Sequence, residues 1–322
     1  MTIPEQPFAI PSAWRGDDLR EHDDWCERWT DAEIAELDRA LAAGPADRLP
    51  SEAAEFPLST LITRIDGWMR EIDAGRGFVL VRGLPVDRYT TAECERIYYG
   101  LGLYMGRATP QNTDGDLLGH VRDTGEDPAA RGVRLYRTRA EQDFHTDGAD
   151  VIGLMCLKGA RSGGISRIVS SVTIFNEILG RAPELVPTLF EPFPFDRQGQ
   201  EKAGERGWFE FPICRTSNAG LGTFFIPWYI RESQQLADAP RLTAAQTACL
   251  ELIETIANEP DLYLDMTFEA GDIQLLKNAV ILHKRTAYED WPEPAEKRHL
   301  LRLWLSGERF TGGSALLGKG IS

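Results

Sequence analysis

Positive charge is scarce in this chain. Thirty-five Lys and Arg face fifty Asp and Glu among 322 residues, a formal net charge of −15. A field of that sign repels phosphate backbones and anionic lipid surfaces, so neither nucleic acid nor membrane is an expected partner. Cysteine is scarce too: Cys26, Cys94, Cys156, Cys214 and Cys249 are odd in number, widely spaced and without a C-x-x-C. They indicate neither a disulfide framework nor a zinc knuckle. No uninterrupted apolar run approaches the roughly 18–20 residues of a membrane span. The opening MTIPEQPFAIPSAWRG lacks the basic start and the apolar stretch of a signal peptide. A reducing cytoplasm is the expected address. There is no H-E-x-x-H, no G-x-S-x-G and no Walker loop, and Gly100-x-Gly102-x-x-x-Gly106 misses the dinucleotide spacing within a helical pattern.

No internal repeat or low-complexity linker divides the sequence, so a single domain over 1–322 is expected: a helical part (1–75), a core (76–306) and a tail (307–322). Thr30-x-x-Glu33 predicts a capped helix through Ala43, and Leu58, Leu61, Ile62, Ile65, Met69 and Ile72 recur at helical spacing. A short strand at Phe78–Arg82 precedes another capped helix at Thr90-x-x-Glu93. From about residue 133 the pattern changes to short β-type runs bounded by turn residues, at 151–157, 167–174, 222–230, 262–268, 273–283 and 299–305. Helices are expected at 176–190, where prolines limit the length, and from Thr243-x-x-Gln246 to about Asn258. Many short strands with few long helices predict a mainly β fold with flanking helices, a sandwich or a barrel.

Histidine is the informative rarity, with five in the chain: His22, His120, His145, His283 and His299. His145 sits in Asp143-Phe144-His145-Thr146-Asp147-Gly148, and extended backbone puts residues two apart on one face, an imidazole beside a carboxylate. His283 ends the apolar run 279–282. Two His and one carboxylate on one face of a metal leave three positions open, the arrangement of non-haem Fe(II) oxygenases. An isolated H-x-D is common by chance, and a hydrogen-bonded core histidine is the competing reading. Downstream, alternation puts Arg298, Leu300, Arg302 and Trp304 on one face and His299, Leu301, Leu303 and Leu305 on the other. Inward guanidinium groups need anions. A dicarboxylate co-substrate would supply them through bidentate contacts, and so would Glu289, Asp290 or Glu296. His22 and His120 have no ligand-spaced neighbour, and His299 is expected against a neighbouring sheet or loop. Gln111 and Asn112 lie in a polar loop facing substrate or solvent. Phe224, Phe225, Trp228 and Tyr229 read as core more than pocket.

Taken in order, Phe144-His145-Thr146-Asp147, Gly163-Gly164-Ile165-Ser166, Gly271-Asp272 ahead of the strand ending in His283, and Arg298-x-x-x-Arg302 resemble the Fe(II)/2-oxoglutarate dioxygenases of the taurine dioxygenase and clavaminate synthase type, over roughly residues 76–306. The resemblance implies a double-stranded β-helix, or jelly roll, flanked by helices. It implies Fe(II) on His145, Asp147 and His283, and the distal carboxylate of 2-oxoglutarate on Arg298, fifteen residues after the distal histidine, and on Ser166. Arg302 would lie near the co-substrate and within reach of a substrate anion. The implied reaction uses O₂, converts 2-oxoglutarate to succinate and CO₂, and oxidises an unactivated C–H bond of a small organic substrate. Asp147 stands where halogenating relatives are expected to lack a carboxylate, which favours hydroxylation, desaturation or ring closure.

Two other classes compete: a non-catalytic jelly-roll binding protein, since fold alone does not deliver function, and a mononuclear zinc hydrolase, which leaves the arginine pair without purpose. The substrate is not legible, a homo-oligomer is as compatible with the sequence as a monomer, and the segments after Phe144 and between Phe190 and Gly222 are candidate covering loops.

Overall fold

Alternation along one C-terminal strand decides how the layers stack. In the computed structural model, which describes residues 3–307 apart from 113, 129–132 and 218–219, the strand His299–Ser306 buries Leu301, Leu303 and Leu305 on one face and turns Arg302 and Trp304 to the other. The expected tail from 308 to 322 lies outside the described residues. Those three leucines join Val79, Val81, Val151, Met155, Ile273 and Leu275 in one apolar cluster. Three helices cover it: Asp31–Ala43, Leu61–Ala74 and Thr91–Met105. The first and third carry the expected capping boxes, Thr30 with Glu33 and Thr90 with Glu93, each satisfying otherwise orphaned N-terminal amides. Helix and sheet approach closely at Gly153, where a Cβ would lie 2.3 Å from the Tyr98 hydroxyl.

The large sheet runs Cys26–Arg28, Phe78–Arg82, Ile273–Lys277, Val151–Lys158, His299–Ser306 and Arg107–Ala108, with Leu118–Val121 also paired to His299–Ser306. Only the Cys26–Arg28 pairing is parallel among the described ladders of this sheet. Val151–Lys158 has strands on both sides and six of its eight residues buried, which is why it reads as a continuous apolar run. A second, four-stranded sheet runs Tyr263–Met266, Ser166–Ser170, Ile281–Arg285 and Gln142–His145, all antiparallel. A second apolar cluster joins this sheet to the helices Ser171–Arg181 and Ala244–Ala257. The chain is thus mainly β with helices packed outside two sheets.

Several boundaries depart from the pattern reading, each for a local reason. The run 167–174 stops being strand at Ser170, whose hydroxyl accepts from the Thr173 amide and starts the helix Ser171–Arg181. That helix ends before Pro183, earlier than the expected 190. The run 222–230 divides into the strand Gly220–Thr223 and the helix Pro227–Ser233, because proline suits a first helical turn. The run 273–283 is two strands, Ile273–Lys277 and Ile281–Arg285, belonging to different sheets. The hairpin of Pro192–Asp196 with Trp208–Pro212 has no counterpart in the pattern reading.

Leu303 packs beneath the Thr91–Met105 helix, where a Cβ on Gly102 would come within 2.5 Å of it. Leu303→Ala should cost about 2–5 kcal/mol in urea unfolding. Thr90→Ala, which removes only a cap, should cost about 1 kcal/mol.

Candidate metal centre and co-substrate site

Two facing strands create the centre. Gln142–His145 and Ile281–Arg285 pair antiparallel with His145 directly opposite His283, and the two rings stand 4.2 Å apart. Directly opposed residues point to the same face, so this register alone brings together two imidazoles 138 positions apart in the chain. Asp147 lies in the turn just beyond the strand rather than on it, contrary to the shared-strand expectation. Asn278 holds that turn from both sides: its Oδ1 accepts from the Asp147 amide at 2.8 Å and its Nδ2 donates to the Asp147 carbonyl at 2.7 Å. Thr146 is locked to Phe225 through amide and hydroxyl contacts at 2.8 and 2.9 Å.

The carboxylate then reaches both rings. Asp147 Oδ1 is 3.8 Å from His145 Nε2, and Oδ2 is 3.6 Å from His283 Nε2. One ligand atom from each of the three residues lies within 4.8 Å of the others. His145 Nδ1 sits 2.7 Å from the Asp143 carbonyl, which can only accept, so Nδ1 carries the proton and Nε2 turns a lone pair toward Asp147. Gln142 Nε2 lies 3.0 Å from that nitrogen. His283 Nδ1 is buried without a partner among the described residues. A neutral imidazole lone pair, a second imidazole with an unspent nitrogen and an ionised carboxylate fit a divalent transition metal.

Electrostatics keep the donors in binding form. Burial, and then the neighbouring His283, push His145 down to about 3. Burial alone would raise Asp147, but Arg302 and the two imidazoles outweigh it and hold the carboxyl well below the usual range. Arg302 Nη1 stands 3.8 Å from Asp147 Oδ2, and Trp304 Nε1 donates to the same oxygen at 3.2 Å. The Arg302 guanidinium lies between the Tyr136 and Trp304 rings, at 4.6 and 4.8 Å from their centroids, and its Nε donates to Gln111 Oε1 at 2.7 Å.

Arg298 directly precedes the C-terminal strand and is 4% exposed, with Nη1 lacking a partner among the described residues. Burial lowers its pKa. Of the acidic residues proposed as bland partners, Glu289 pairs with Arg161 and Glu296 with Lys158, while Asp290 accepts the Arg298 backbone amide on Oδ1, keeps a buried Oδ2 unspent and favours the Arg298 charge. Gly163 and Gly164 explain how the backbone comes so near. Both have positive φ, 72° and 67°, and a Cβ on Gly164 would lie 3.1 Å from Arg298 Nε. Ser166, two residues on, is buried and donates to Gln274 Oε1 at 3.1 Å, a bond that spans the two sheets.

Of the six residues singled out from the sequence, His145, Asp147, His283 and Arg302 come together and Ser166 and Arg298 are buried, while Asn278, Tyr136, Trp304 and Arg285 carry no role in the sequence reading. The Phe224–Tyr229 cluster is divided. Phe224 and Phe225 are core, whereas Trp228 stands edge-on to His145 at 5.0 Å and the Tyr229 hydroxyl accepts from Arg134 Nη1 at 2.6 Å. Gln111 faces Arg302, and His120 contacts His299 through ring nitrogens 2.8 Å apart.

The family model of the taurine catabolism dioxygenase TauD, TfdA family matches residues 40–304, and the chain belongs to that family. It is a non-haem iron- and 2-oxoglutarate-dependent oxygenase. It is 27% identical over 312 residues to FR-33289 synthase of Streptomyces rubellomurinus, covering 95% of this chain and 92% of that protein. The fold is shared with an asparagine oxygenase solved with Fe(II), 3-hydroxyasparagine and succinate (TM-score 0.65, 16% identity, 87% of this chain and 93% of that one). It is shared also with the non-haem iron oxygenase OrfP solved with Fe and α-ketoglutaric acid (TM-score 0.65, 13% identity, 87% and 94%). Among the described residues no helix is long and apolar enough to cross a membrane.

Two outcomes are expected. Asn278→Ala, which frees the Asp147 turn without touching a donor atom, should weaken metal binding about 10–100-fold in anaerobic Fe(II) titrations. Metal-free protein should lose stability steadily as pH falls from about 6.5 toward 3, because in that window the unfolded chain protonates its His145 while the folded state, at about 3, does not. Urea midpoints between pH 7 and 4 test this: His145→Asn should flatten the slope, and a wild-type midpoint independent of pH contradicts it.

Proposed function

We propose that this oxygenase hydroxylates, or otherwise oxidises, an unactivated C–H bond of a small anionic molecule, with His145, Asp147 and His283 holding Fe(II) and Arg298 and Ser166 gripping the distal carboxylate of 2-oxoglutarate. We read the two sheets as a double-stranded β-helix and the chain as one cytoplasmic domain; its self-association is a separate matter for sedimentation. The observation that carries the reading is the buried convergence of the three donors, all within 4.8 Å, beside a guanidinium that leans on their carboxylate.

Bound iron and 2-oxoglutarate supply the oxidising power, using O₂ and releasing succinate and CO₂. The chain's own residues supply position and a dry environment. Asp147 stays ionised and bears one negative charge against the metal. His145 stays neutral because burial and the neighbouring His283 disfavour its charged form, and Asp143 keeps its one proton on Nδ1. Trp228 and Trp304 wall the centre with ring surface that excludes water. Arg302, stacked between Tyr136 and Trp304, keeps a fixed charge near the centre. An anionic group on the substrate is its natural partner. The family description itself names taurine, a sulfonate.

Succinate release across a panel of amino acids, sulfonates, phosphonates and terpenoid or polyketide acids tests the proposal. Coupled turnover should favour anionic members, and Arg302→Leu should raise KM for them at least about tenfold, the scale of one lost charge-assisted contact. Coupled turnover confined to uncharged members would contradict the anionic reading. Anaerobic Fe(II) with 2-oxoglutarate should give a weak visible charge-transfer band; its absence at full metal occupancy would contradict the reading of the centre.

A further inference from the structure

A second buried guanidinium lies beside Arg298, and neither the family's shared motif nor the mechanism above uses it. Arg285 follows His283 by two residues on the same strand, so both point to the same face. It is opposite Ser166 in the ladder with Ser166–Ser170, which puts it on the face that carries the Ser166 hydroxyl. Only 8% of Arg285 is exposed. Its Nη2 donates to the Leu135 carbonyl at 3.2 Å and to the Ala140 carbonyl, whereas Nε and Nη1 are buried and have no partner among the described residues.

Arg298 is placed similarly. Both guanidinium groups lie against the ring of Tyr288, Arg298 at 5.0 Å and Arg285 at 5.1 Å from its centroid, and the buried Tyr288 hydroxyl has no hydrogen-bond partner of good geometry among the described residues. Asp123, which pairs with Arg139 at 3.1 Å, favours the Arg285 charge only weakly. Asp290, which accepts a backbone amide on Oδ1, is the one nearby carboxylate among the described residues with a buried oxygen unspent, so a single carboxylate stands against two guanidinium groups. Two buried cations around one phenol, with three guanidinium nitrogens and a hydroxyl unspent, are costly unless an anion with several acceptor sites completes them. A carboxylate has about four lone-pair sites on two oxygens, enough to receive single bonds from the three unspent guanidinium nitrogens and the phenol.

We propose that Arg285 is a second cationic contact for the distal carboxylate of 2-oxoglutarate, with the Tyr288 hydroxyl between it and Arg298. The inference rests on the proposed binding of that carboxylate at Arg298 and Ser166. Arg285 thereby helps select a keto acid with a charged far end, and it ties co-substrate binding to the 135–140 segment through the Leu135 and Ala140 carbonyls.

The test compares 2-oxoglutarate with 2-oxopentanoate, which keeps the five carbons and the chelating keto acid but has no distal carboxylate. Dissociation constants come from anaerobic titration of the Fe(II) protein, read by the visible band rather than by turnover. Arg285→Gln should weaken 2-oxoglutarate at least about tenfold and leave 2-oxopentanoate unchanged. Arg285→Lys, which keeps the charge and loses the spread of planar donors, should fall between. Equal weakening of both keto acids, or no change in either, overturns the proposal and leaves Arg285 a purely structural residue. Arg298→Gln gives a test that leaves Arg285 in place: a residual preference for 2-oxoglutarate of about tenfold supports a second cation, and parity between the two acids overturns it. If the wild-type protein itself binds 2-oxopentanoate as tightly as 2-oxoglutarate, the Arg298 and Ser166 reading falls first and this one with it. Loss of Arg285 selectivity alone leaves that reading standing.

Discussion

The pairing of His283 against His145 across two short antiparallel strands is the constraint on which the centre depends. A slip of one residue would turn one imidazole to the opposite face of the sheet and leave the other without its neighbour. The ladder is irregular immediately beyond that pair, between His283 and Arg285, so the register is not extended by a long run of hydrogen bonds on this side. It is held instead by the next strand over, where five consecutive pairs join Ile281–Arg285 to Ser166–Ser170. The same ladder brings Ser166 opposite Arg285, so one register organises both the metal donors and the anion-binding end.

Charge distribution explains why these groups can be buried together. Asp147 gains from Arg302, from the Trp304 indole N–H and from two nearby imidazoles, which offsets the cost of taking a carboxylate out of water. Arg302 is stabilised in turn by Asp147, Gln111 and two aromatic faces. At the Arg298–Arg285 end two guanidinium groups share the Tyr288 ring, and Asp290 is the one nearby carboxylate among the described residues with an unspent buried oxygen. On the proposed reading the two ends divide the work, one carrying negative charge for a cation and the other positive charge for a dicarboxylate.

Much of this was readable in the sequence because it rests on local rules. Thr30 with Glu33, Thr90 with Glu93 and Thr243 with Gln246 are capping boxes whose partners are three residues apart, and each starts a helix where expected. The strict alternation of Leu301, Leu303 and Leu305 against Arg302 and Trp304 follows from the strand repeat. The three candidate donors were legible through their chemistry, although Asp147 reaches the two histidines from beyond the strand and not from a shared one. Where the sequence misled, long-range context decided. A β-branched run at 171–174 became helix because Ser170 caps it, and the run through Asn278 broke because its two halves serve different sheets. Asn278 itself carries no pattern: its value lies in two hydrogen bonds to a residue 131 positions away. Arg285 was equally silent, since nothing local distinguishes a surface arginine from one that is buried with unspent donors.

An iron anomalous difference map from crystals grown anaerobically with Fe(II) tests the central claim most directly. The account predicts one strong peak within bonding distance of His145, Asp147 and His283 together. A peak bonded to only one of the three, or iron gathered instead at the His120 and His299 pair, would contradict it.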